Sequence, residues 1–166
     1  KDVTTLIKVP GMYPNSQIVV PETVTCIDQY AFSHNKNVVE VTLPENAIQI
    51  NKNAFNGCEN LKKINLERAK TIGEQAFEGC KALDDVTLSC ETISQSAFSG
   101  CYNLKNVTLN NTVEICDYAF NACAIQSIEF PASLHMIGAS AFNSCKFESI
   151  TIPKTVIKVG RSAFGN

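Results

Sequence analysis

The chain has 166 residues, 45% apolar and 18% charged, a balance that fits a folded, water-soluble chain. Its formal net charge of −2 supplies no overall attraction to nucleic acid or to an anionic membrane. No apolar run approaches the roughly 20 residues of a membrane span, and no charged-then-apolar leader opens the sequence, so direct membrane insertion of this segment is not expected.

Residues 1–17 match no later stretch. Leu6-Ile7-Lys8-Val9-Pro10 reads as a strand closed by a proline, and Gly11, Pro14 and Asn15 then break any regular pattern, so 1–17 is an irregular lead-in or a degenerate repeat. From residue 18 to 166 one pattern recurs. Ala-Phe returns as Ala31-Phe32, Ala54-Phe55, Ala76-Phe77, Ala97-Phe98, Ala119-Phe120, Ala141-Phe142 and Ala163-Phe164. Successive Phe residues are 23, 22, 21, 22, 22 and 22 positions apart. A fixed period of this size marks a solenoid, in which one short unit is stacked many times. A unit so short cannot bury a Phe alone, whereas a stack lines the rings into one apolar spine. The chain stops part-way through a repeat, at Ala163-Phe164-Gly165-Asn166, and is expected to be a trimmed part of a longer protein because solenoids normally carry polar capping repeats.

Within each unit the Phe is followed by a polar corner and then by apolar residues spaced Leu-x-x-Val-x-Leu. The copies are Val38, Val41, Leu43; Leu61, Ile64, Leu66; Leu83, Val86, Leu88; and Leu104, Val107, Leu109. The last two, Ile125, Ile128, Phe130 and Phe147, Ile150, Ile152, lie one residue closer to the preceding Cys. Val-x-Leu has period two and predicts a short strand with one buried face. Pro21, Pro44, Pro131 and Pro153 close four of these strands, where no ladder bond is lost. The return limb is spaced Val-x-x-Ile: Val24 and Ile27, Ala47 and Ile50, Ala69 and Ile72, Cys90 and Ile93, Leu134 and Ile137, Val156 and Val159. The fifth copy reads as one residue short, Val113-Glu114-Ile115. This limb is expected to be extended, with a helical turn near Ala-Phe-x-Gly-Cys.

Eight cysteines would suit a disulfide framework, but their spacing favours buried thiols. Cys58, Cys80, Cys101, Cys123 and Cys145 each sit three residues after a repeat Phe, a position that stacks into one column beside the turn. Cys90 occupies a core position of the return limb. Cys26 and Cys116 stand where other units carry polar or small residues, so one or more disulfides stay open, and no CxxC pair supports zinc.

Leu-x-x-Val-x-Leu-Pro followed by Val-x-x-Ile-Gly-x-x-Ala-Phe-x-Gly-Cys resembles the BspA-type, or Treponema-type, leucine-rich repeats; the clearest copy is Ile72-Gly73-Glu74-Gln75-Ala76-Phe77-Glu78-Gly79-Cys80-Lys81-Ala82-Leu83. The first copy departs by placing Asn35 where later ones have Cys, a swap that lets an amide satisfy a buried corner backbone. The resemblance implies a right-handed leucine-rich-repeat solenoid of about seven 21–23-residue coils, with parallel strands on its concave face. It also implies a secreted or surface-displayed protein associated with adhesion to host matrix or to other microbes.

Residues alternating with the strand's apolar positions point outward. They are Glu40 and Thr42, Lys63 and Asn65, Asp85 and Thr87, Asn106 and Thr108, Ser127 and Glu129, Ser149 and Thr151. Stacked, they form a polar platform on which a protein or glycan could be held, although Thr is also simply a good exposed strand residue. No aromatic residue stands in these columns to stack on a sugar or anchor a protein.

Enzyme chemistry finds little support. His34 and His135 are four units apart, about 20 Å along a stack, too far to act together or to serve a common Cys. Asp84 and Asp85 are adjacent on a strand and so are expected to face opposite sides. No glycine pattern forms a phosphate-binding loop. Asn106-Val107-Thr108 and Asn110-Asn111-Thr112 fit the glycosylation sequon, which matters only in a eukaryotic secretory host. No cofactor, metal or catalytic residue is indicated. The chain therefore reads as a monomeric recognition or adhesion module, or alternatively as a passive stalk within a larger surface protein.

Overall fold

The computed structural model describes residues 4–6, 16–46 and 48–165. Ala47 and residues 7–10, read above as core and strand, lie outside the described residues. In chain order the strands are β1 (Thr4–Leu6), β2 (Gln17–Val19), β3 (Val24–Ile27), β4 (Glu40–Thr42), β5 (Ile48–Ile50), β6 (Lys63–Ile64) and β7 (Ala69–Ile72). They continue as β8 (Asp85–Leu88), β9 (Thr92–Ile93), β10 (Asn106–Leu109), β11 (Glu114–Ile115), β12 (Met136–Ile137) and β13 (Lys158–Val159). Every pairing among them is parallel and joins one unit to the next, which makes the molecule a leucine-rich-repeat solenoid.

The Val-x-Leu limb forms the sheets β2-β4-β6 and β8-β10, and the return limb forms β1-β3-β5-β7 and β13-β12-β11-β9. The return limb is thus the more continuous wall, reaching every coil from β3 to β13. The Val-x-Leu limb loses its strands after β10, because residues 125–130 and 147–152 carry none. The loss coincides with the one-residue-shorter corner and with two aromatic substitutions in the repeat. Phe130 and Phe147 turn inward and pack edge-on against Phe142, at 5.7 and 5.8 Å between ring centroids.

The rings stack as the period predicts. Phe32, Phe55, Phe77, Phe98, Phe120, Phe142 and Phe164 follow one another at 4.5–5.4 Å between centroids, with planes within 15° of parallel. All but Phe164 are fully buried. Offset stacking at this separation adds to the large apolar area each ring removes from water.

The corner is not a helical turn. Two residues before each Phe the backbone is left-handed, from Tyr30 (φ 60°) through Asn53, Gln75, Ser96, Tyr118 and Ser140 to Ser162. Two residues after it the same holds at His34, Gly57, Gly79, Gly100, Ala122 and Ser144. These reversals break any helix and turn alternate amides along the stack. Each Phe N–H donates to the Ala carbonyl of the next coil, from Phe32 to Ala54 (2.7 Å) through to Phe142 to Ala163 (2.7 Å). Between them, amides such as that of Cys80 close turns onto residues three back, here Phe77 (3.1 Å). The corner therefore supplies a third ladder alongside the two sheets.

The fifth return limb is not shortened. Thr112, fully buried, stands in the core position that Cys90 fills one coil earlier, and its hydroxyl donates to the Cys90 carbonyl at 3.2 Å. The polar label of Thr hides a methyl that fills core and a hydroxyl that finds a carbonyl. Asn35 behaves as the sequence predicts: its Oδ1 accepts the amides of Asn37 (3.0 Å) and Val38 (3.2 Å).

Replacing a ring in mid-stack, Phe98→Ala, is expected to cost about 3–5 kcal/mol in denaturant unfolding, and a cost near zero would contradict its burial. Ala122→Gly, which removes a left-handed Cβ, is expected to raise stability by roughly 0.5–1 kcal/mol in the same measurement.

Candidate interaction face

The outward residues of the Val-x-Leu limb stand in register. Gln17, Glu40 and Lys63 are direct neighbours across β2, β4 and β6, as are Asp85 with Asn106 and Thr87 with Thr108 across β8 and β10. β2 adds Gln17 and Val19 to the outward set predicted from the repeat. Val19 is 76% exposed. Thr42, Lys63, Asp85, Asn106 and Thr108 are exposed on this face, and Glu40 and Thr87 are half-buried. Ser127, Glu129, Ser149 and Thr151 are not enclosed by the core either, but they come after the loss of the strand ladder and lie outside any strand.

Asn65 differs from its neighbours in the column. Its Oδ1 accepts the Leu43 amide at 2.6 Å and its Nδ2 donates to the Leu43 carbonyl at 3.0 Å, so the side chain takes the place of a backbone rung. The backbone ladder between β4 and β6 accordingly stops at the pair Val41 and Ile64.

Three open hollows run along this face. The first, about 500 Å³, is lined by Glu40, Thr42, Lys63, Asn65, Asp85 and Thr87. The second, about 450 Å³, shares Asp85 and Thr87 with it and extends to Lys105, Asn106 and Thr108. The third, about 520 Å³, begins at Asn106 and Thr108 and ends at Ser127 and Glu129. No lining residue is aromatic.

Charge on the face is mixed. Gln17 donates to Glu40 at 3.1 Å, and Lys62 lies 3.8 Å from Asp84, while Lys63 closes no ion pair among the described residues. Asp84 and Asp85 do not face apart, because β8 begins at Asp85 and Asp84 precedes the ladder. The Asp84 carboxyl beside it, then burial, push the Asp85 carboxyl above its ordinary range, while Lys63 pulls it down. Asp84 Oδ1 is buried and has no hydrogen-bond partner among the described residues.

Behind the face lies the thiol column. The Sγ of Cys58, Cys80, Cys101, Cys123 and Cys145 each donates to the carbonyl of the Phe one coil back, at 3.0–3.3 Å. All eight cysteines are free thiols. Cys26, buried in β3, accepts from Asn51 Nδ2 at 3.5 Å, and Cys116 lies four coils away, about 19 Å along the stack, beyond disulfide reach. Burial pushes Cys58 up to about 12 and Cys90 and Cys145 up to about 11, and lifts Cys80, Cys101 and Cys123 well above the ordinary thiol value. Such thiols are poor nucleophiles. His34 and His135 are both exposed and stand four coils apart.

The return limb offers a second outward column that the three-residue spacing of Val-x-x-Ile concealed: Gln49, Thr71, Thr92, Glu114, Met136 and Lys158. Among the described residues no helix is long and apolar enough to cross a membrane.

Residues 12–124 and 113–166 match a family model described as the BspA-type leucine-rich repeat region, in six copies. A search of curated proteins finds no match. Among solved structures, the chain is similar to a leucine-rich cell surface protein from Faecalibacterium prausnitzii, at 27% identity and a TM-score of 0.67, over 90% of this chain and 50% of that one. It is also similar to a leucine-rich repeat protein from Bacteroides ovatus, at 28% identity and a TM-score of 0.69, over 96% of this chain and 49% of the other. The pneumococcal vaccine antigen PcpA shares the fold, at 19% identity and a TM-score of 0.62, over 91% of this chain and 44% of that one. The chain thus spans about half the length of each of these three structures.

Because the thiols ionise in the unfolded chain near 9.0 but stay protonated in the fold, the unfolded state binds fewer protons above that pH. Stability is therefore expected to be complete below pH 9 and to fall as pH rises toward 11–12, by about 1.4 kcal/mol per pH unit for each buried thiol. Denaturant titrations at pH 7, 9 and 10.5 measure this. Thiol titration at neutral pH without reductant should count eight groups after unfolding and few before it; six or fewer after unfolding would reveal a disulfide.

Proposed function

Because the chain belongs to the BspA-type leucine-rich repeat family, we propose that residues 18–166 form one recognition or adhesion module, displayed at a cell surface or secreted, that holds a macromolecular partner against its Val-x-Leu face. The observation that carries this reading is the continuous run of three joined hollows from Glu40 to Glu129, walled by polar side chains that the core does not use. The same outward columns contribute to every coil, so a partner can be gripped over an extended length rather than in one pocket. The alternation of Glu40, Lys63 and Asp85 favours a protein surface of complementary charge over a glycan, since no ring is present for a sugar to stack on. Ser149 and Thr151 extend the face beyond the last hollow.

The reading is tested by capture from matrix proteins and glycans arrayed on a solid support. Reversing three charges together, Glu40→Lys, Lys63→Glu and Asp85→Lys, is expected to abolish capture at physiological salt while the far-ultraviolet spectrum stays unchanged. Capture that survives the triple change would remove the Val-x-Leu face from consideration. Absence of capture by the unaltered chain from every source would favour the passive stalk.

A further inference from the structure

The return limb carries a hollow of about 600 Å³ on a wall separate from the one considered above. Its floor is made by half-buried Cys116 and by Met136, and its two ends carry opposite charge: Glu114 and Asp117 on one side, Lys158 and Arg161 on the other. The strand register fixes the order along the floor. Glu114 is the direct neighbour of Met136, which in turn is the direct neighbour of Lys158. The two poles are therefore two coils apart, about 10 Å at the spacing of parallel strands.

These charges do not neutralise one another. Glu114, Lys158 and Arg161 form no ion pair among the described residues, and Asp117 is engaged only through Oδ1, which accepts the Ala139 amide at 2.6 Å. The parallel ladder sets the backbones of Glu114 and Lys158 two rungs apart, with Met136 on the rung between them. The intervening Met136 is half-buried, a soft, polarizable surface that adapts to whatever lies on it.

We infer that this trough binds an extended polypeptide segment running along the stack, with a basic side chain between Glu114 and Asp117 and an acidic side chain between Lys158 and Arg161. In an extended chain, residues i and i+2 share a face and stand about 7 Å apart, and the stems of Lys and Glu span the remainder. Both ends of the ligand are needed, because an exposed ion pair by itself contributes little, whereas two pairs on a rigid frame add without further ordering cost to the protein. The inference does not depend on the Val-x-Leu face, and each can fail without the other.

The probe is the peptide acetyl-Ala-Lys-Ala-Glu-Ala-amide, compared with the versions in which Gln replaces Lys or Glu, titrated by nuclear magnetic resonance at low salt. Saturable shifts in the amides around Met136, at least tenfold stronger for the two-charge peptide than for either one-charge version, are expected. Glu114→Gln with Asp117→Asn, and separately Lys158→Gln with Arg161→Gln, should each weaken binding at least tenfold. The Glu40, Lys63 and Asp85 reversal should leave it unchanged. Absence of saturation at millimolar peptide would overturn the inference. So would equal affinity for all three peptides, indifference to both pairs of substitutions, or loss of binding in the Val-x-Leu face variant.

Discussion

The hydrogen bond from each Phe amide to the Ala carbonyl of the next coil sets a distance that every other contact in the molecule has to match. It recurs six times at 2.7–2.8 Å, between the two walls of parallel strands, and so fixes the rise at the third side of the coil as well. With the rise set, the rings stack at 4.5–5.4 Å and the thiols reach one coil back to a Phe carbonyl. The same tightness excludes side chains elsewhere. A Cβ on Gly73 would stand 2.5 Å from the Lys52 amide nitrogen, so only a hydrogen fits there while the coils keep their spacing.

Holding the corner in this form has a cost. Left-handed backbone at Gln75, Ser96 or Ala122 is unfavourable for any residue with a Cβ, by an amount of the order of 1 kcal/mol each. The conformation persists because it aims alternate amides along the stack, where each finds a carbonyl, and a buried amide left without one would cost more. The thiol column serves the same accounting. The carbonyls of Phe55, Phe77 and Phe98 each accept the amide of their own Cys, and the Cys of the next coil supplies a second donor. Asn35 serves the first coil differently, with an oxygen that accepts amides rather than a sulfur that donates.

What remains for recognition is whatever the core leaves over. On the Val-x-Leu wall this is a pair of columns whose members change from coil to coil, Glu40, Lys63, Asp85 and Asn106 in one and Thr42, Asn65, Thr87 and Thr108 in the other. Their spacing is rigid while their chemistry is free to vary, which suits a surface that must fit a partner over many points. Asn65 marks the limit of that freedom, since its amide is tied to Leu43 and works for the sheet.

The seven-fold Ala-Phe period determined the stack, the ring spine and the burial of five thiols, because a repeated apolar residue in a unit too short to hide it can be buried only by copies of itself. The same logic made Glu40, Lys63 and Asp85 legible as outward residues, since strand alternation is a local property. The arrangement of the corner, the tie of Asn65 to Leu43 and the core place of Thr112 were decided by tertiary structure alone. Each turns on where a polar group finds its partner in the adjoining coil, some 22 residues away in the chain; no local pattern carries that information.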